Sequence, residues 1–182
     1  MTFSGVSMEL AGSKTEKNLK KAFAGESQAR STYSFYASQA RKEGYIEIAE
    51  KIEAIAENEK EHAKVWFKLL HSGIQQTAEN LKACIAGEHY EYSDMYVTFA
   101  KEAKEEGFND ISELFRLVAD VEKEHEALFQ RMLESMQSGS VFKKESETRW
   151  VCANCGHVHY GKNAPERCPV CAHAKGYFFA EA

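Results

Sequence analysis

The chain has 182 residues, of which 43% are hydrophobic and 28% charged, enough apolar material for one globular domain with a small appendix. Its formal net charge of −5 argues against nucleic acid as a partner, because phosphate binding needs a positive surface. No apolar run approaches the roughly 20 residues that span a bilayer, and no charged-then-apolar segment opens the chain. We therefore expect a cytoplasmic protein without membrane contact.

Long helices are predicted for most of the chain, since both prolines lie after residue 164. Residues 1–13 lack periodicity and are expected to form a loose arm. Ser13, three residues before Glu16, is a helix start signal. Four helices follow, each ending near a glycine, at 14–42, 45–72, 77–106 and 109–137.

The first and second pairs of helices are predicted to be copies of one helical hairpin. AGE at 24–26 returns at 86–88, EG at 43–44 returns at 106–107, and EKEH at 59–62 returns at 122–125. The offsets are 62, 63 and 63 residues, so the second copy has one additional residue between its first and second matches. Three matches in order at nearly one offset indicate a duplication.

Carboxylates and histidines occupy core positions in these helices. The apolar stripe of the second helix runs through Ile48 and Ile55 and continues through EKEH at 59–62, and the fourth helix repeats this pattern. The six inward-facing residues predicted in this way are Glu26, Glu59, His62, Glu88, Glu122 and His125.

A two-metal site explains such a set, because buried ionised carboxylates are costly unless cations neutralise them. One Glu-x-x-His alone is more commonly part of a solvated helix face. Two in duplicated positions, each with an upstream core glutamate, form the ligand set of ferritin-like two-metal bundles. Iron or manganese suits these ligands best, although zinc could also occupy the site.

Glu91 breaks the symmetry of the duplication. It follows Glu88 by three residues on the same face, whereas its counterpart in the first copy is Ala29. A seventh ligand on one side would make the two metals inequivalent; the alternative is a surface residue at the edge of the stripe. Tyr33 and Tyr96 fall near the same inner faces, where tyrosines are commonly core aromatics.

The C-terminal segment is predicted to be a separate metal-dependent module. The composition divides the chain into a helical domain at 1–140, a polar linker at 141–149 and a Cys-rich module at 150–182. So short a module cannot bury a stable core without a metal. Two CxxC pairs at this separation predict a tetrahedral four-thiolate site, with the ligands Cys152, Cys155, Cys168 and Cys171. The spacing leaves iron and zinc open, and attachment to a redox bundle favours iron.

The chain resembles the rubrerythrin family over essentially its whole length. The motifs that carry the resemblance are AFAGESQAR (22–30), ENEKEHA (57–63), AGEHYEYSDMY (86–96), EKEH (122–125) and the cysteine segment at 150–173. The resemblance implies a mainly α protein, in which a ferritin-like four-helix bundle precedes a small rubredoxin-like metal-bound β module.

The resemblance further implies a non-haem iron peroxidase that reduces hydrogen peroxide to water in oxidative-stress defence. Its cofactors would be two Fe ions at the carboxylate site and one Fe in the four-cysteine site. Electrons would pass through the cysteine centre from an external donor, either rubredoxin or an NAD(P)H-dependent reductase. The ligand of one iron would alternate between Glu91 in the oxidised state and His62 in the reduced state. Tyr33 and Tyr96 would hydrogen-bond site glutamates.

The connection between the second and third helices is too short for a single-chain bundle of this type. In that bundle these two helices run parallel, so the connection must return about 40 Å along the bundle. Residues 73–76 remain as non-helical chain and reach only about 14 Å. We therefore expect a homodimer in which helical hairpins are exchanged between chains, or a higher homo-oligomer.

Two other functions stay open at this stage. One is an iron-oxidising or oxygen-reducing protein of the ferritin class, in which Glu91 would serve iron entry. The other is a non-enzymatic metal protein with a zinc-filled interaction ribbon.

Overall fold

A computed structural model describes residues 10–181, so most of the predicted N-terminal arm lies outside the described residues. Its helices are α1 (Lys14–Lys42), α2 (Ile46–Leu70), α3 (Thr77–Tyr90), α4 (Tyr96–Glu105) and α5 (Asn109–Gln137), with a π-helical turn at Glu91–Met95 between α3 and α4. The strands are β1 (Lys143–Cys152), β2 (Val158–Asn163) and β3 (Phe178–Glu181), and a 3₁₀ turn covers Lys175–Tyr177. Helices followed by a small sheet confirm the predicted fold class. Among the described residues, no helix is long and apolar enough to cross a bilayer.

The first compact unit of the chain ends at Gln75 and holds the α1–α2 hairpin. Ser13 caps α1 as predicted, since its Oγ accepts a hydrogen bond of 3.0 Å from the Glu16 N–H. The Glu16 carboxylate in turn accepts a hydrogen bond from the N–H of Gly12. The buried residues of the hairpin are small, namely Ala37, Ala49, Ala56 and Ala63. Small residues at this interface let the two helices approach closely.

The second compact unit begins at Gln76, and in it α3, the π-helical turn and α4 pack along α5. Its buried helical residues are again mostly small: Ala100, Ala103, Ser112 and Leu133. Ser112 donates a buried hydrogen bond of 2.6 Å from its Oγ to the Ala100 carbonyl. This bond ties the start of α5 to α4.

Many large apolar side chains of both hairpins are exposed. In the first, Phe35 is 69% and Ile48 is 52% exposed; in the second, Leu114 is 59% exposed. Ile48 and Ile55 were expected in the core, and this expectation is wrong for the chain on its own, because alanines form the interface inside the hairpin. Each hairpin therefore presents an apolar face that remains uncovered within its own unit.

The C-terminal sheet is antiparallel with the strand order β2-β1-β3. Its core consists of Trp150, Cys152, Ala164, Cys168 and Phe178. The Trp150 Nε1 donates a hydrogen bond of 2.9 Å to the Gly161 carbonyl. Strand β1 begins at Lys143, so much of the predicted linker at 141–149 is strand rather than free chain, with an irregular register between Lys143 and Thr148.

Candidate metal centres

The first group of potential metal ligands lies within the α1–α2 hairpin. Glu26 on α1 and Glu59 and His62 on α2 bring one ligand atom each within 4.8 Å of one another. The His62 Nδ1 lies 2.8 Å from Glu59 Oε2 and 3.8 Å from Glu26 Oε2. Glu59 is mostly buried, whereas the His62 side chain is 57% exposed.

The second group repeats this arrangement in the second unit. The His125 Nδ1 lies 2.6 Å from Glu122 Oε2 and 3.7 Å from Glu88 Oε2. Burial raises the pKa of Glu88, and the negative charge of Glu122 raises it further. The near-identical distances in the two units are what a duplicated ligand motif predicts.

Both groups fit a divalent metal. Ligand atoms about 2.1 Å from one ion lie roughly 3 to 4 Å from one another. The His–Glu separations of 3.8 and 3.7 Å fall within this range, whereas those of 2.8 and 2.6 Å are hydrogen-bond distances. The repulsion that raises the pKa of Glu88 is what a cation would relieve. The structure thus gathers the six predicted ligands as two groups of three, one in each unit.

Glu91 is the first residue of the π-helical turn, a feature that sequence reasoning missed. The turn is closed by a hydrogen bond from the Tyr96 N–H to the Glu91 carbonyl, five residues apart. The offsets between the two copies of the hairpin do indicate the position of this turn. Glu88 matches Glu26 at an offset of 62, whereas Tyr96 matches Tyr33 at an offset of 63. The additional residue of the second copy therefore lies between Glu88 and Tyr96, where the helix widens.

The two predicted site tyrosines lie in different surroundings. Burial raises the pKa of Tyr96, and the negative charges of Glu91 and Glu122 raise it further, which puts the phenol near those carboxylates. Tyr33 lines an apolar groove together with Tyr36, Ile52 and Ile55. Hydrogen bonds from both tyrosines to site glutamates stay a prediction.

The four cysteines of the C-terminal module converge on one point, as predicted. The Sγ atoms of Cys152 and Cys171 lie 3.7 Å apart, and those of Cys155 and Cys168 lie 3.6 Å apart. Tetrahedral ligands with metal–sulfur bonds of about 2.3 Å have sulfur atoms roughly 3.8 Å apart. The thiols are therefore placed for a single ion with four thiolate ligands.

Two matching turns build this cysteine site. The N–H of Cys152 bonds to the His157 carbonyl at 2.9 Å, and the N–H of Cys168 bonds to the His173 carbonyl at 2.8 Å. Backbone N–H groups of His157 and His173 donate to the second sulfur of each pair. The residue after that sulfur has a positive φ in both turns, 75° at Gly156 and 58° at Ala172. The sequence Cys-x-x-Cys-(Gly/Ala)-His thus supplies both the thiolates and the donors that stabilise them.

A third polar cluster lies beside the second ligand group. The His89 Nδ1 is 3.1 Å from Glu126 Oε1 and 3.1 Å from the Tyr92 hydroxyl. The His89 and Tyr92 rings meet edge to face with their centroids 5.2 Å apart. The Glu126 carboxylate raises the pKa of Tyr92. None of these three residues was singled out from the sequence.

The fold and these sites define the class of the protein. It is a ferritin-like helical metalloprotein that carries carboxylate–histidine ligand groups, with a rubredoxin-like four-thiolate module attached at its C-terminal end.

Comparison with known proteins agrees with this class. The rubrerythrin family profile matches residues 17–133, and the profile of the rubrerythrin rubredoxin-like domain matches residues 150–179. Rubrerythrin of Porphyromonas gingivalis is 50% identical over 181 residues, covering 93% of this chain and 90% of that protein. Rubrerythrin of Nitratidesulfovibrio vulgaris is 45% identical, covering 93% of this chain and 95% of that protein. A solved structure of nigerythrin in a mixed-valence state is 28% identical over 97% of this chain and 90% of its own, at a TM-score of 0.36. The chain belongs to the rubrerythrin family.

Membership of this oxidoreductase family gives the metals of the two kinds of site. The carboxylate and histidine groups provide the ligands of a two-iron site, and the four cysteines provide those of a rubredoxin-like iron site.

Proposed function

We propose that the chain is a peroxidase that reduces hydrogen peroxide to two water molecules at its two-iron site. The observation that carries this proposal is the asymmetry of the ligands. The second unit offers Glu91 in addition to its Glu-x-x-His, whereas the first unit has Ala29 at the matching position.

The asymmetry suits a site that cycles between two oxidation states. When bound, the iron pair supplies the two electrons that reduce the O–O bond. A carboxylate stabilises a ferric ion better than a ferrous one, and an imidazole suits the ferrous ion. The His62 Nδ1 already contacts Glu59. We propose that Glu91 and His62 serve as alternative ligands of one metal position and that the Tyr96 phenol donates a hydrogen bond to a site glutamate.

The rubredoxin-like module is proposed to relay electrons one at a time from an external donor, either rubredoxin or an NAD(P)H-dependent reductase. Cys152 and Cys168 are buried, whereas Cys155 is exposed. A donor protein can approach the metal at the Cys155 side, where the thiolate meets solvent.

A stopped-flow comparison tests the reaction. The fully reduced holoprotein is mixed with peroxide or with dioxygen, and reoxidation is followed by absorbance. We expect peroxide to react much faster, and Glu91→Ala to lose most of that preference. Equal rates for the two oxidants would favour the iron-oxidising alternative of the ferritin class.

We further propose that the two-iron site is assembled from two chains. Each hairpin supplies one glutamate and one Glu-x-x-His and leaves an apolar face exposed. Residues 71–76 connect α2 to α3 and reach about 20 Å, which is less than the roughly 37 Å length of α2. Exchange of hairpins within a homodimer would bury both faces and complete both sites.

A complementation experiment separates exchanged from unexchanged dimers. One chain carries Glu59→Ala with His62→Ala, the other carries Glu122→Ala with His125→Ala, and the two are co-expressed with different affinity tags. In an exchanged heterodimer one site keeps all its ligands, so we expect one two-iron site per dimer. In an unexchanged heterodimer both sites are damaged, and absence of two-iron loading would refute the proposal. Each variant homodimer serves as a control without an intact site.

A further inference from the structure

The cluster of His89, Tyr92 and Glu126 has no part in the metal ligand set, yet each member lies beside a ligand in the chain. His89 follows Glu88, Tyr92 follows Glu91, and Glu126 follows His125. His89 lies in the last turn of α3, Tyr92 in the π-helical turn and Glu126 on α5. Their contacts of 3.1 Å therefore connect the π-helical turn, through α3, to the helix that packs against it.

The proton positions that satisfy these contacts are simple. With the proton on Nδ1, the His89 ring donates to the Glu126 carboxylate, and the Tyr92 oxygen lies close enough to be a second acceptor. Glu126 is largely buried, with 24% of its side chain exposed, so its partners restrict where it can lie.

The duplication shows that this cluster is particular to the second unit. At the matching positions the first unit has Ser27 (89 − 62), Arg30 (92 − 62) and Ala63 (126 − 63). In that unit α1 is a continuous α-helix, and Ser27, Arg30 and Ala63 line an open groove. The cluster and the additional helical residue thus occur together, in the half of the molecule that contains Glu91.

A reason for this association lies in the π-helical turn itself. Hydrogen bonds between residues five apart are rare in proteins, and such turns persist where surrounding contacts hold them. Glu91, at the start of the turn, can be aimed reproducibly only if the turn keeps one conformation. Tyr92 is the next residue, and its hydroxyl supplies a side-chain contact that fixes the turn.

We propose that His89, Tyr92 and Glu126 are positioning residues that fix the π-helical turn against α5 and so fix the direction of the Glu91 carboxylate. The inference rests on the proposed metal role of Glu91. It assigns no contact with the metals or with peroxide to the three residues themselves. Their effect on the metal site passes through Glu91.

The test uses full-length, iron-loaded, oxidised protein. Tyr92→Phe removes the hydroxyl, Glu126→Ala introduces the residue of the first unit, and His89→Leu removes the ring nitrogens. Mössbauer spectra report the environments of the two ferric ions of the carboxylate site separately from that of the third ferric ion, in the cysteine site. Glu91→Ala provides the reference for a lost carboxylate ligand. We expect the three variants to shift one of the two ferric signals toward that reference. Titration with a competing chelator should show that each variant binds iron with about 10-fold lower affinity than the parent, as expected when a residue that orients a metal ligand is lost.

Two control variants separate positioning from general damage. His89→Asn keeps an N–H near the position of Nδ1 and should restore the parent spectrum. Arg30→Ala breaks the cross-helix contact of 3.3 Å between Arg30 and Glu57 in the first hairpin and should leave the spectrum unchanged. In the Glu91→Ala background, Tyr92→Phe should have no further effect, because its influence passes through Glu91.

The outcomes distinguish the positioning role of the cluster from the metal role of Glu91. Parent-like spectra and iron affinity for Tyr92→Phe and Glu126→Ala, with an altered Glu91→Ala, would overturn the positioning role alone. A parent-like spectrum for Glu91→Ala would overturn the metal role of Glu91 and with it the basis of the proposed peroxidase site.

Discussion

The two turns of the cysteine module differ at one position, and that difference predicts opposite effects of two substitutions. Gly156 and Ala172 follow the second cysteine of each pair, and both have positive φ, 75° and 58°. An L-residue with a Cβ is strained by about 1–2 kcal/mol in this conformation. Glycine avoids the strain, but its greater conformational freedom in the unfolded chain lowers the stability of the folded module by about 0.4–1 kcal/mol. The net expectation is about 1 kcal/mol in favour of glycine at either position.

Ala172→Gly should therefore stabilise the module, and Gly156→Ala should destabilise it by a similar amount. A Cβ added at Gly156 would meet no atom within 4 Å, so only the backbone conformation contributes there. Ala172 is exposed, so loss of its methyl group removes little buried surface. A change of about 1 kcal/mol alters the population of the opened module about five-fold.

The rate of iron loss to a chelator measures this population, followed by the thiolate-to-iron absorption of the holoprotein. We expect about five-fold slower loss for Ala172→Gly and about five-fold faster loss for Gly156→Ala. The double variant exchanges the two residues and should lose iron at close to the parent rate. If both single variants lose iron faster than the parent, backbone strain at Ala172 is not what limits this turn.

Three further predictions concern the metals and the helical core. The small module should unfold when a strong chelator removes its metal, or when Cys171→Ser removes a ligand. Unfolding exposes Trp150 to water, so its fluorescence should shift to the red while the helical circular dichroism persists. Ser112→Ala should destabilise the protein by about 1 kcal/mol in urea unfolding, because the buried bond to Ala100 is lost; an unchanged midpoint would argue against that bond. In the metal-free protein the pKa of Glu88 is raised, so protonation of its carboxyl favours folding and stability should fall as the pH rises through that pKa. Thermal melts at several pH values measure this dependence. Glu88→Gln should flatten it and should also weaken metal binding.

Local features of the fold could be predicted from the sequence because they depend on neighbouring residues. The cap at Ser13 and the helix limits followed from short-range signals, and the structure agrees to within a few residues. The cysteine site was also predictable, because each CxxC turn fixes its own two sulfur atoms.

The remaining features depend on the environment of each helix rather than on its own sequence. Periodicity identified the apolar face that holds Ile48 and Ile55, but it could not show that alanines on another face would form the hairpin interface. The only sign of the π-helical turn in the sequence is that the offset between the two copies changes from 62 residues at Glu88 to 63 at Tyr96. Polar residues at 143–149 carry no strand pattern, and their extension depends on pairing at the two ends of the stretch, where Lys143, Thr148 and Arg149 have partners in β2.

The π-helical turn also bears on how two copies of one hairpin could diverge without losing their packing. An additional residue in a regular helix rotates everything beyond it by about 100°, which would turn buried side chains toward solvent. Here the wide turn absorbs that rotation, so Ala100 and Ala103 stay in line with Ala37 and Ala40 of the first copy. The additional residue therefore lengthens the second copy beside Glu91 and leaves the buried positions beyond the turn in register with those of the first copy.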